Sequence, residues 1–368
     1  MGGRAFPKSL RGVWNENTFQ AVGNEEFAMN PWELSRREFV RDAAFGVAGV
    51  MATAVTSLGQ QGAAGAIANP GGDRSKILNF NENMEYRRLG KTGLMVSAVC
   101  LGGHSRSNLQ ERTEIVSRAI DLGINYIDAC WDNEVIRDAQ ALKGRRDKMY
   151  LALSHGAKEP RNEEYRTSRK LLEALDELLK LSGQDYTDLW RITCLEPGGR
   201  HSFDTSCEIV DALEKAKKQG KARFGGISSH DRRWLKFMIE YFPQIDVVLF
   251  PFTTMSKVAP KDSLFPALKQ CDVGAFGIKP FGAGSLFTGD RKEDFRRARL
   301  ALRYILATDT VIPIPGANSI EELENIALAV RERRQLDVRE QAYLESISRE
   351  MWAQLPRRYG WLRDWQYV

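Results

Sequence analysis

"CEIVDALEKAKKQGKARFGGIS", residues 207–228, changes its hydrophobic period partway along. Up to Gly220 the apolar residues stand three and four apart, as on an amphipathic helix. From Ala222 the run "ARFGGIS" is short and apolar, as in a buried strand. The same alternation runs outward in both directions. Strand candidates are "SAVCLGG", "NYIDAC", "KMYLALS", "YTDLWRIT", "ARFGGIS", "DVVLF", "VGAFGI" and "TVIPIPG", with helical patterns such as "SRKLLEALDELLKL" between them. Eight strand–helix units over about 250 residues predict an α/β fold, a (β/α)8 TIM barrel. The competing doubly wound sheet lacks a GxGxxG after an early strand. Ahead of the first unit, "YRRLGKTGLMVS" sets "GKTG" between two short extended runs, a hairpin that closes the barrel floor.

A barrel of this kind carries its chemistry at the C-terminal ends of the strands. Asp128, Ser154, Thr193, Ser229 and the loop "KPFGAGSL" (279–286) fall there. This pattern divides the chain into a leader region 1–68, a linker 69–83, the barrel 84–335, and a C-terminal helix with an aromatic tail, 336–368.

Of the 368 residues, 43% are hydrophobic and 27% charged, which fits a globular protein with one large domain. The net charge of +5 is mild and the basic residues are interspersed with acids, so no basic stripe for nucleic acid is present. Cys100, Cys130, Cys194, Cys207 and Cys271 form no CxxC pair and read as buried small hydrophobes.

The leader has its own logic. Arg36 and Arg37 precede the uncharged run "AAFGVAGVMATAVTSLG", and Ala66-Ile67-Ala68 follows as a cleavage signal. Ser35, Arg36, Arg37, Phe39 and Val40 resemble a twin-arginine (Tat) signal. The expectation is a mature chain from Asn69, periplasmic or otherwise exported by the Tat machinery. Met29 would give a leader of more usual length, making 1–28 a misassigned start. No other stretch is long and apolar enough to span a membrane. Tat export carries folded proteins, often with a cofactor in place.

The segments "YRRLGKTGLMVSAVCLGG", "AIDLGINYIDA", "LKGRRDKMYLAL", "DYTDLWRI", "LEKAKKQGKARFGGISSH", "GIKPFGAGSL" and "VIPIPGANSIEELEN" together resemble the aldo/keto reductases, in family order from about residue 84 to 330. The resemblance implies the same barrel and NAD(P)H-dependent carbonyl reduction. It also implies four catalytic side chains: a tyrosine acid, a lysine and an aspartate that lower its pKa, and a histidine. The aspartate maps to Asp128, the tyrosine to Asn133, the lysine to Ser154 and the histidine to Thr193. Three of the four roles are therefore absent, and neither Asn nor Thr has a usable proton near neutral pH. Asp128 could be purely structural. For the cofactor, the resemblance points to Ser228 and Ser229, and puts Leu249 where a glutamine belongs. In the loop Lys279, Phe281, Gly282, Gly284, Ser285 and Leu286 it implies backbone N–H groups around a pyrophosphate; a plain turn is the alternative. Beyond the last strand Gly316, Glu324 and Asn325 match the family, the last two toward the adenine. Glu321 stands where many members carry an arginine for the 2′-phosphate, which favours NAD over NADP.

Four histidines, His104, His155, His201 and His230, each follow a predicted strand, with Asp128, Asp132, Glu196 and Asp231 nearby. They suggest a replacement proton donor, His155 beside Asp128, or a metal site, though no local metal motif is present. Cys130 and Cys194 flank the lost positions, and packing is the better reading of both. Trp352, Tyr359, Trp361, Trp365 and Tyr367 in the tail suit either a lid over a sugar-like or aromatic ligand or a packed patch. The sequence thus reads as an exported oxidoreductase on a small carbonyl or sugar-like ligand, with a degenerate site. The alternatives are an inactive binding protein or a metal-dependent enzyme.

Overall fold

The computed structural model describes residues 74–194, 201–256, 264–355 and 357. All belong to the compact unit Gly62–Val368. The arginine pair, the apolar run, the cleavage site, Glu196 and the tail from Tyr359 onward lie outside the described residues.

Strands β1 (Tyr86–Arg88) and β2 (Met95–Ser97) pair antiparallel, Tyr86 opposite Ser97. At their turn Gly90 has φ 50°, and a Cβ there would collide with the backbone N of Gly274. Only glycine lets the tip press this closely, with Lys91 N donating to Asp272 O at 2.6 Å. This is the predicted floor hairpin.

The barrel follows as β3 (Leu101–Gly102), β4 (Tyr126–Ala129), β5 (Tyr150–Leu153), β6 (Thr187–Thr193), β7 (Ala222–Ser228), β8 (Val247–Pro251), β9 (Gly274–Ile278) and β10 (Ile312–Pro313), in that spatial order. Every neighbouring pair is parallel. A parallel bridge between Gly102 and Gly316 closes the ring. The two closing strands are the shortest, and the reason is in β10. Pro313 and Pro315 have no N–H to donate, so they contribute only carbonyls, to Cys100 N (3.1 Å) and Gly102 N (2.8 Å). "SAVCLGG" accordingly splits between the hairpin and β3.

Nine α-helices are described: α1 (Leu109–Asp121), α2 (Asp132–Ala141), α3 (Ser168–Ser182), α4 (Phe203–Lys218), α5 (Arg232–Tyr241), α6 (Leu264–Gln270), α7 (Arg291–Leu306), α8 (Ile320–Arg331) and α9 (Val338–Gln354). Short polar residues start most of them. Asn108, Thr167, Ser202, Asp231, Asp290, Ser319 and Asp337 each accept a backbone N–H of the first turn. Asp231 thus serves as a cap.

Side-chain alternation along the strands splits the core in two. One set, including Leu151, Leu153, Ile192 and Ile227, packs outward against the helices. The other, including Tyr126, Ala152, Leu189, Leu249, Phe276 and Ile312, fills the lumen, sealed below by Leu89, Leu94 and Val96 of the hairpin. Each fully buried aliphatic side chain contributes about 1.5–3 kcal/mol. No helix among the described residues is long and apolar enough to cross a membrane.

Candidate active site

Alternation also decides which polar groups reach the lumen. Tyr126 and Asp128 share one face of β4; Leu189, Arg191 and Thr193 share one face of β6; Ala152 and Ser154 share one face at the end of β5. At the top of the lumen these meet. Arg191 grips Asp128 as a fork, Nε to Oδ2 at 2.8 Å and Nη2 to Oδ1 at 2.5 Å. Its Nη1 donates to Thr193 Oγ1 at 3.0 Å. Thr193 Oγ1 lies 3.0 Å from Ser154 Oγ, which donates to Glu159 Oε1 at 2.6 Å. Glu159 Oε1 also accepts His155 N at 3.0 Å. All five side chains are buried.

The electrostatics follow from this packing. Burial works against the Arg191 charge, but Asp128 outweighs it and raises its pKa well above the ordinary value. Tyr126, fully buried below, has its phenol pushed well up by burial and then by Asp128. Cys130 Sγ reaches Ser154 Oγ at 3.8 Å, and burial raises its thiol. Cys194 is buried, its Sγ 3.7 Å from Ile192 O.

Two of these residues, Arg191 and Glu159, escaped the sequence reading. The signal was present for the first. An arginine inside the apolar run "YTDLWRIT" stands two residues before Thr193 and must share its face. Glu159 carried no comparable signal.

Asn133 is not part of this cluster. It is exposed in the first turn of α2. Only Cys130 and Trp131 join β4 to α2. The Trp131 ring lies against Gly156, where a Cβ would stand 2.5 Å from it. The Arg161 guanidinium lies 6.0 Å above that ring.

The four imidazoles have four separate environments. His104 Nδ1 is 2.5 Å from Glu134 Oε1. His155 follows inward-facing Ser154 and so turns outward, to Asp132 (3.3 Å) and Glu177 (3.9 Å) on α2 and α3. His201 lies edge-on to Trp234, 5.6 Å away, and burial, with Arg166 adding, brings its pKa down to about 4. His230 Nε2 is 3.4 Å from Lys279 Nζ, and burial, then Lys279 and Arg161, hold it far below the usual range. Among the described residues no three His, Cys, Asp or Glu side chains converge as a metal site would require.

Beside the closing strands a cleft of about 490 Å3 opens between the β9–α7 loop and the β10–α8 loop. Phe281, Gly284, Gly316 and Asn325 line it, with Arg106 and Arg291 as its cations and Asp294 and Glu322 as its acids, the first held by Thr288 and Gly289 and the second by Asn318. The loop backbone is not the open cradle the glycines suggested. The N–H groups of Gly282, Gly284, Ser285 and Leu286 donate to Lys279, Phe281, Gly282 and Phe281 carbonyls, so the loop closes on itself. Lys279 and Ala283 both take left-handed φ of 55°, a strained choice for residues with a Cβ. Gly282 backs onto Met351 of α9, which any Cβ would strike. Leu286 is buried in that same contact layer, and Ser285 Oγ donates to Gly282 O at 2.5 Å.

The other expected cofactor residues scatter. Glu324 pairs with Arg118 at 2.7 Å and does not line the cleft. Asn325 donates to Phe295 O at 3.0 Å and accepts from Arg299. Glu321 is ion-paired with Arg291. Ser228 and Ser229 are buried at the end of β7, and Leu249 is buried in the lumen.

Known proteins share this architecture. An L-glyceraldehyde 3-phosphate reductase of Escherichia coli (strain K12) is 28% identical over 273 residues, 66% of this chain and 76% of that protein. An L-galactose dehydrogenase of Arabidopsis thaliana is 24% identical over 318 residues, 73% of this chain and 97% of that one. The crystal structure of an aldo/keto reductase from Klebsiella pneumoniae in complex with NADP and acetate superposes with a TM-score of 0.58 at 21% identity, covering 72% of this chain and 95% of that one. The holo form of an aldo-keto reductase from Bacillus halodurans gives 0.59 at 23%, covering 72% and 96%. Residues 98–297, more than half of the chain, match the aldo/keto reductase family, and the chain belongs to it.

Proposed function

We propose that this chain is an oxidoreductase that holds a nicotinamide dinucleotide in the β9–α7/β10–α8 cleft and interconverts a small carbonyl and its alcohol. The observation that carries the reading is the cleft itself. It lies on the loops after the last two barrel strands, where this fold commonly holds phosphates. The residues fit the group through side chains: Arg106 and Arg291 for phosphate charge, and the Phe281, Phe287 and Phe295 rings for a flat base. The dinucleotide would supply the hydride. Glu321 argues for NAD, since a carboxylate repels a 2′-phosphate; its pairing with Arg291 blunts that argument.

The proton route on this reading is rebuilt. Arg191 donates to Thr193, so the Thr193 hydroxyl proton is left for Ser154, and the Ser154 proton points to Glu159. This chain of donors runs one way, from the lumen to a buried carboxylate. It can take a proton from a substrate hydroxyl at Thr193 and return one in the reverse direction. The named substrates of the relatives support a small polyhydroxylated ligand. The second reading, a binding protein without catalysis, is favoured by the two-residue β4–α2 joint, which presents no phenol. Export by the Tat route remains part of the proposal, on Arg36 and Arg37; cells carrying lysine at both positions should keep the protein in the cytoplasm.

The test is calorimetric titration of NAD(H) and NADP(H) into the chain from Asn69 onward, after assaying the purified protein for bound dinucleotide. Binding tighter than about 10 μM, near −7 kcal/mol, supports the oxidoreductase reading. No binding and no co-purified dinucleotide rejects it.

A further inference from the structure

At the opposite end of the barrel, where β5, β6 and β7 begin, a second cleft of about 300 Å3 opens. Its floor is Asp188, 2% exposed, on the second residue of β6. Two guanidinium groups converge on that one carboxylate. Arg146 Nη2 donates to Oδ2 and Arg223 Nη1 to Oδ1, both at 2.6 Å. Asp188 Oδ2 also accepts Leu151 N at 2.9 Å. The carboxylate is thus occupied on both oxygens, and one negative charge is shared between two positive ones.

The guanidinium planes are held in place from the side. Arg146 lies 5.3 Å over the Tyr186 ring, and Arg223 lies 5.6 Å over Phe224 and 6.0 Å over Tyr150. Arg146 is further fixed by Nη1 to Met149 O at 2.8 Å and Nε to Gln184 Oε1 at 3.1 Å. Arg223 is different. Among the described residues only its Nη1 has a hydrogen-bond partner, which leaves Nε and Nη2 uncommitted at the cleft wall. Lys76 lines the same cleft. The remaining acid, Asp147, is largely exposed and lies 3.6 Å from Lys148. The cleft therefore concentrates positive charge, with rigidly held planar donors, in a concave space far larger than one water.

We propose that this cleft is a binding site for a doubly charged oxyanion, a phosphate group free or carried by a small metabolite, held by Arg223 and Arg146. Planar guanidinium groups suit phosphate because two parallel N–H bonds match two of its oxygens. The carboxylate below does not compete with the ligand; it orients the two cations toward it. The site is separate from the dinucleotide cleft and stands whether or not that cleft binds a cofactor.

The test is thermal unfolding of the full chain in sodium phosphate against sodium chloride of matched ionic strength, with acetate as a singly charged control. The expected result is a saturable rise of about 3 °C at phosphate twentyfold above its Kd, absent with acetate. Arg223→Met should abolish the rise, and Arg291→Met, at the other cleft, should keep it. Arg223→Lys retains the charge but not the fork, and should weaken phosphate at least fivefold with little change in unliganded Tm. This covers the case in which Arg223→Met fails to fold. Tighter binding of glycerol 3-phosphate than of inorganic phosphate identifies a metabolite-borne group; equal binding identifies the free anion. No rise beyond that in chloride, a rise that survives both Arg223 variants, or one lost in Arg291→Met overturns the proposal.

Discussion

The Asp128–Arg191 fork makes a prediction whose size follows from its burial. Replacing Arg191 by Met leaves a carboxylate in the lumen with no cation, and also removes the donor to Thr193. Breaking one partner of a buried ion pair costs about 3–5 kcal/mol, because the remaining charge stays desolvated. Asp128→Asn strands the guanidinium instead and should cost a similar amount. The double variant, Asp128→Asn with Arg191→Met, strands neither charge. A buried pair replaced as a whole is often near neutral, so the double should lie within about 2 kcal/mol of wild type. The coupling in the cycle is then about 3 kcal/mol or more, well above the few tenths expected of independent sites. Urea unfolding of the four proteins measures it, with equal m-values as the check that the same surface unfolds. Single-variant costs that simply add in the double would refute the reasoning, because they would mean that each side chain contributes through its own packing and not through the other's charge.

Two further predictions concern charge. Glu321→Gln should raise NADP affinity relative to NAD by about tenfold, since it removes the carboxylate paired with Arg291 and frees that guanidinium for the cleft; fluorescence titration of both cofactors reads the ratio, and an unchanged ratio rules out the role given to Glu321. The folded pKa values of His201 and His230 are depressed, the first to about 4, both chiefly by burial. Below the unfolded histidine pKa of about 6.5 the unfolded chain therefore binds protons that the folded chain does not, so the stability these groups contribute is full above that pH and is lost as pH falls. Between pH 6.5 and 5, above the range where most carboxylates titrate, the slope of stability with pH should correspond to a net uptake approaching two protons on unfolding. His230→Asn should remove one of them, and an unaltered slope in that variant contradicts the assignment.

The order of strands and helices was legible because period, the clearest sequence signal, survives in nearly every unit. The closing strands were overestimated because apolar character hides what Pro313 and Pro315 do to a ladder. The site was legible only in part. Asp128, Ser154 and Thr193 were placed correctly at one end of the barrel, and the structure links them in one chain of hydrogen bonds. Their organiser, Arg191, was hidden because it sits inside an apolar run. The histidines show the opposite error. Four of them follow strands, yet following a strand fixes the end of the barrel and not the face. Ser154 points into the lumen, so His155 cannot. Glycines in "KPFGAGSL" announced a turn, but not that the turn would spend its own N–H groups.

Ser154, where the family resemblance expects a lysine, and Arg191 are best understood together, in electrostatic terms. A carboxylate at position 128 is held in the lumen by its strand, whatever the protein does, and a desolvated carboxylate requires a cation within a few ångströms. In the family resemblance that cation would arrive from the end of β5. Here it arrives from β6, one strand over, and the fork geometry takes up both oxygens of Asp128. With both oxygens taken by Arg191, Asp128 needs no second cation. Position 133, where the resemblance expects a phenol, is an exposed asparagine in the first turn of α2, two residues beyond the joint that follows β4. The presence of Asp128 is therefore no evidence of proton transfer, since its pairing with Arg191 already accounts for it. The evidence for retained chemistry has to come from the groups the ion pair does not need. Those are Ser154 and Glu159: the Asp128 charge is satisfied without them, and yet they extend the hydrogen-bond chain from Thr193 to a second buried carboxylate.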